Sequence, residues 1–118
     1  MTVSPIDCPT PGGRLQVRIA DSFAARALGL LVGTPLGPAE ALLIAPCSSI
    51  HTLGMRYPID VVFLDRDARI ARVFREVRAG RIRLALGARA ALEMRAGAAG
   101  QQGLAAGVRL AGLAAALA

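Results

Sequence analysis

The sequence predicts a mainly β (α+β) fold in a single domain, and three observations carry that prediction. The apolar runs are short and each is closed by proline, glycine or aspartate, as strands are. Only one stretch, residues 21–31, has both a cap and the apolar spacing of a substantial helix. And 118 residues can bury one real core but not two. With 54% apolar but only 3% aromatic residues, that core must be aliphatic, with Phe63 and Phe74 as its few large fillers.

Residues 1–13 hold prolines and glycines and read as a flexible leader, leaving residues 14–118 as the domain. "RLQVRIA" alternates Leu15, Val17 and Ile19 against Gln16 and Arg18, the period of a half-buried strand. In "DSFAARALGLLVG", Asp21 or Ser22 caps a helix whose apolar face holds Phe23, Ala27, Leu30 and Leu31 before Gly33 and Pro35 stop it. "ALLIAP" is a buried strand ended by proline. "IDVVFLD" is apolar on both faces and belongs inside a sheet, and "DRDAR" supplies the following turn. Residues 69–79 are ambiguous: Ile70, Val73, Phe74 and Val77 sit at helical spacing, while Ala71, Val73 and Val77 can share a strand face. "ALEMRAG" predicts a short strand, "AGAAGQQGL" a brief helical turn, and "GVRLAGL" a last short strand.

The formal charge of +6 and the pI near 11.2 would ordinarily point to nucleic acid. All fourteen basic residues are arginine, however, and lysine and asparagine are absent, a usage that GC-rich coding enforces by itself. The arginines at 66, 69, 72, 75, 78 and 81 would scatter over both faces of a strand, and stacking aromatics are scarce. Any nucleic-acid binding is therefore expected to be weak and sequence-independent. No run approaches the roughly 18 apolar residues of a membrane helix, nor is there a signal-peptide pattern, so the chain is expected to be cytoplasmic. Cys8 and Cys47 lack zinc-site spacing and are expected to be free thiols; neither a metal set nor a cofactor motif is present.

Chemistry concentrates in "CSSIHTLGMRYPID". His51, the chain's one histidine, is the natural base, acid or ligand. Cys47 stands four residues before it. Such a pair meets across a helical turn, at about 5–6 Å, but lies roughly 13 Å apart on a strand. Asp60 shares its strand face with Val62 and Leu64, so its carboxylate needs donors, for which His51, Thr52, Arg56 and the backbone near Gly54 are nearest in sequence. Glu93 alternates with Leu92 and Met94 and is expected on an exposed face with Arg95. The leading reading is a binding module for a small polar ligand or a protein partner, using His51, Thr52, Met55, Arg56, Asp60 and Glu93. The alternative is a hydrolase or transferase using His51 with Cys47 or Asp60.

Taken together, "ALLIAPCSSIHTLGMRYPIDVVFLDRDARIARV…ALEMRAG…GL" resembles domain of unknown function family 192, over about Arg14 to Leu110. Pro58, Asp60, Phe63, Leu92, Glu93 and Gly97 match as they stand, as do Gly29 and Leu30. Many members open the central loop with Trp-Met and carry an asparagine three residues after the tryptophan. This chain is a His-Thr variant there, with Gly54 in the asparagine's place. The resemblance implies a compact, barrel-like antiparallel or mixed sheet with one or two short helices, and assigns residues 69–79 to a strand. It implies no activity.

Overall fold

A computed structural model describes residues 5–20 and 36–117. The helix expected at 21–31 lies outside them. The rest is mostly β. Strands β1 (Ile6–Thr10), β2 (Gly13–Ile19), β3 (Glu40–Ile44), β5 (Ile59–Leu64), β6 (Ile70–Val77) and β8 (Ala90–Arg95) form one sheet in the order β1-β2-β3-β8-β5-β6. Strands β4 (Ser49–His51) and β7 (Ile82–Leu84) form a separate ribbon. The large sheet is mixed, because β2 and β3 run parallel while all its other pairs are antiparallel. Its edges, β1 and β6, do not pair with each other, so the sheet is open and not closed into a barrel.

Burial follows the sequence period. In β2 only Leu15 and Val17 are buried, while every residue of β5 is, because β5 lies between β8 and β6 with apolar layers on both faces. Val62 and Leu64 join the larger core, with Leu15, Leu43, Leu92 and Leu113. Ile59, Val61 and Phe63 join a smaller one on the other face, with Ile50, Val77 and Ala85. Residues 70–77 are a strand despite their helical spacing, since pairing with β5 and packing under it outweigh local periodicity. The "DRDAR" turn forms as expected, with Asp65 Oδ1 accepting from the backbone N–H groups of Asp67 and Arg69 at 2.8 and 3.0 Å.

Three expectations need correction. Ile6–Thr10 is not a loose leader but an antiparallel edge strand on β2, with Cys8 fully buried. Pro9 is tolerated because an edge strand can spare a backbone N–H. Residues 107–113 hold no strand beyond a single bridge between Arg109 and Arg69. Instead Ala111–Leu117 is a 3-10 helix packed on β1, in which Leu113 and Leu117 are buried. Finally, Glu93 is 1% exposed rather than on a solvated face, because β8 is an inner strand between β3 and β5. The helical turn expected at 96–104 is present as α1, Ala98–Gln101. Cys8 and Cys47 are both free thiols, as expected, and burial, reinforced by the neighbouring Asp7 charge, pushes the Cys8 thiol above its ordinary value.

Candidate functional site

The segment expected to carry chemistry divides into three places. The first surrounds Asp60, whose side chain is fully buried. Oδ1 accepts the backbone N–H of Glu76 at 2.9 Å, and Oδ2 accepts those of Gly97 and Ala99, each at 3.0 Å. Opposite Asp60 the register of β6 slips between Ile59/Val77 and Val61/Phe74, so β6 bulges there, with Glu76 at φ 51°. The carboxylate thus ties β5 to the bulge and to the first turn of α1. Burial and satisfied oxygens match the expectation, but the donors do not come from the His51 loop. They lie 16, 37 and 39 residues away along the chain, and being backbone groups they leave no trace in residue type.

The second place is the ribbon. Ser49 lies opposite Leu84, Ile50 opposite Arg83, and His51 opposite Ile82. Backbone bonds from Ala85 N–H to the Ser48 carbonyl and from Thr52 N–H to the Arg81 carbonyl, both at 2.9 Å, fix the parity of the ladder. Ser49, His51, Ile82 and Leu84 therefore share one face at non-hydrogen-bonded positions, and their backbone groups point to the ribbon's outer edges. That face is open. The other carries Ile50, buried in the smaller core, and Arg83, whose guanidinium lies 5.7 Å from the Phe74 ring centre.

Thr52 closes the ribbon. It is buried, and its hydroxyl donates to the Arg78 carbonyl at 2.6 Å while accepting from the Arg81 N–H at 2.9 Å. Cys47 and His51 do not sit a helical turn apart, since Ser49–His51 is strand and Cys47 Sγ donates to the Ser49 carbonyl at 3.1 Å. Met55 is half-buried against the smaller core, while Arg56 is exposed.

The ribbon ends in two matching turns. Met55 N–H bonds the Thr52 carbonyl around Leu53 and Gly54, and Ala88 N–H bonds the Ala85 carbonyl around Leu86 and Gly87. Each turn needs glycine at its third position, where φ is 79° and 80°, and each holds a leucine at its second. Leu53 is 63% exposed, Ile82 67%, Leu84 48% and Leu86 95%, so large aliphatic side chains run from one end of the ribbon to the other in water. The sequence reading missed this surface. Its available signal was "RIRLALG", an alternation of arginine with aliphatics too short to separate from a loop.

The third place is a cleft of about 320 Å3 lined by Leu36, Tyr57, Pro58, Arg95 and Ala96. Burial pushes the Tyr57 phenol above its ordinary value, and the charge of Glu93 adds to the effect. Among the described residues no group of three His, Cys, Asp or Glu side chains gathers as a metal site would need, and no helix is long and apolar enough to cross a membrane.

The six-stranded order with its parallel β2–β3 pair, and the carboxylate that ties β5 to β6 and α1, define a class of small open mixed-sheet domains. The chain belongs to domain of unknown function family 192, described as uncharacterised ACR, whose model matches residues 8–112. It is 44% identical over 64 residues to UPF0127 protein PH1112 of Pyrococcus horikoshii, an alignment covering 49% of this chain and 53% of that one. The matched part is thus about half the length of that relative. A protein of unknown function from Novosphingobium aromaticivorans DSM 12444 has a similar fold, with a TM-score of 0.72 at 24% identity over 87% of this chain and 80% of that one. So does a candidate transcription regulator from Sinorhizobium meliloti 1021, with a TM-score of 0.73 at 20% identity over 92% and 95%. At those identities the likeness is one of fold alone.

Proposed function

We propose that this protein is a binding module whose β4–β7 ribbon takes up an extended, acidic, aliphatic-bearing segment of a partner protein. The observation that carries the reading is the row Leu53, Ile82, Leu84 and Leu86 left in water. Covering one such side chain is worth roughly 1.5–3 kcal/mol, so a surface that displays several together is an interaction surface in waiting. The ribbon's short outer edges add backbone groups that an extended strand can pair.

Charge selects the partner. Residues 47–57 and 78–90 contain Arg56, Arg78, Arg81, Arg83 and Arg89 and no Asp or Glu. Arg83 is committed to Phe74, and Arg89 reaches the Leu117 carbonyl. Arg56, Arg78 and Arg81 remain as an exposed basic rim around the aliphatic row. His51 faces outward beside Ile82 on the same open face, where a ring N–H can donate a hydrogen bond to a carboxylate of an acidic strand.

The test is a titration of isotope-labelled protein with a synthetic octapeptide alternating glutamate with leucine or valine, followed by amide chemical shifts. Saturable shifts confined to 48–54 and 81–87, weakened by salt and by Ile82→Glu, are expected. Shifts elsewhere, or equal binding of a lysine-alternating peptide, would overturn the reading.

A further inference from the structure

The two outer edges of the ribbon are capped differently. Because Ser49, His51, Ile82 and Leu84 hold non-hydrogen-bonded positions, the outward backbone groups of β4 belong to Ser49 and His51, and those of β7 to Ile82 and Leu84. On β7 the Ile82 carbonyl accepts from Nη1 of Arg83 at 2.8 Å. On β4 the Ser49 carbonyl accepts from the Cys47 thiol at 3.1 Å. One edge is closed by a guanidinium and the other by a thiol.

The caps are unequal in strength. A hydrogen bond from a charged donor is roughly twice as strong as a neutral one, and a thiol is a weak donor even among neutral groups. The guanidinium is also anchored. Arg83 lies 5.7 Å from the Phe74 ring centre, and Arg72 lies 4.6 Å from the same ring. The ion pairs among the described residues are Arg14 with Asp7 and Arg18 with Glu40, so no described acid draws either guanidinium away. Since Arg83 reaches both the Ile82 carbonyl and Phe74, side chains of β6 stand beside the β7 edge. A strand arriving there must break a charge-assisted bond and pass Phe74 and Arg72. At β4 it displaces the S–H of Cys47 from the Ser49 carbonyl, and its own amide N–H makes the stronger bond in exchange.

Resting on the reading of the ribbon as a strand-binding surface, we propose that the guest strand adds to β4 alone, at Ser49 and His51, and that Arg83 is the residue that keeps it off β7. The ribbon then takes one partner segment per chain. Arg83 closes the second edge, which would otherwise let a guest bridge two copies of the protein.

The test uses the octapeptide alternating glutamate with leucine or valine, and reads amide exchange residue by residue. With peptide at roughly ten times its Kd, the outward N–H of Ser49 should exchange about tenfold more slowly, as the ratio of bound to free protein requires. Ile82 and Leu84 should be unchanged, and one peptide should bind per chain. Arg83→Met keeps an apolar stem against Phe74 but removes the cap, so it should take up a second peptide, with protection now also at Ile82 and Leu84. Cys47→Ala uncaps the Ser49 carbonyl and should bind about twofold to threefold more tightly, whereas Cys47→Ser, with its better donor, should bind more weakly than the parent. Protection at Ile82 and Leu84 in the parent would overturn this inference and leave the ribbon reading standing, since the guest's acid would then have drawn Arg83 off its carbonyl. A single site in Arg83→Met, or Cys47 variants that bind like the parent, would overturn it in the same way. A peptide that gives no saturable shift anywhere would sink both.

Discussion

The β5–β8 pair and the β4–β7 ribbon are made from similar aliphatic residues, yet they meet water in opposite ways. In β5 all six residues are buried, and in β8 five of six, with even the Asp60 carboxylate supplied with three backbone donors. In the ribbon, only Ile50 is buried among six strand residues. The difference comes from layering. Inner strands have a core on each face and a neighbour on each edge, whereas the ribbon has one core, and among the described strands its two outer edges have no neighbour. Burial is concentrated in the first region, and the second keeps its aliphatic face in water.

The contrast is easiest to break at Phe63. Replacing this fully buried ring, which packs edge-on to Phe74 at 6.0 Å, with alanine should cost about 3–5 kcal/mol by chemical denaturation. A loss below about 1 kcal/mol would mean that the smaller core is not tightly packed. Asp60→Ala comes next. Removing a charged acceptor and stranding buried N–H groups should cost on the order of 1–3 kcal/mol, with amide exchange quickening first at Glu76, Gly97 and Ala99. Exchange unchanged at those three positions would refute the tie.

On the ribbon the scale changes. Leu86→Ser should shift stability by less than about 0.5 kcal/mol, as surface replacements do, while weakening the octapeptide. A large loss of stability would show that Leu86 supports the fold and is not displayed for a partner. Smallest is a pH effect at the sheet's edge, where the Arg14 guanidinium hydrogen-bonds Asp7 and holds its carboxyl below the ordinary carboxylate value. A depressed acid contributes stability above its unfolded-state value and loses it as the pH falls through the folded one. The melting temperature of Arg14→Ala should therefore fall slightly short of the parent's at neutral pH and converge with it in strong acid, and the gap should shrink with salt.

How far the sequence could be read follows the same division. The alternation of β2, the wholly apolar β5 and the turn at Asp65 were legible because local period and tertiary setting agree. That Asp60 must be buried and satisfied was legible from Val62 and Leu64 beside it. Its donors were not, being backbone groups fixed by a bulge and a distant turn. Glu93 was misread because four residues of alternation cannot tell a strand with one wet face from a strand with none. β1 was hidden by Pro9 and by Pro5 and Pro11 on either side of it, and the ribbon by strands of only three residues, too short for any period to register.

The outer strands of the large sheet bear on how a partner of the proposed kind would be held. β1 carries Pro9 and is backed by the 3-10 helix, and β6 carries a bulge, exposed Arg72 and Arg75, and a bond from its Ile70 N–H to the Val108 carbonyl. Such rims discourage chains from adding on and growing into fibres. The two edges that no described strand pairs belong to strands of three residues, which offer a guest strand very few rungs. Under the proposed reading, dissociation from so short a ladder should be rapid, and binding there should consist of brief, repeated visits set by local abundance rather than of lasting assembly.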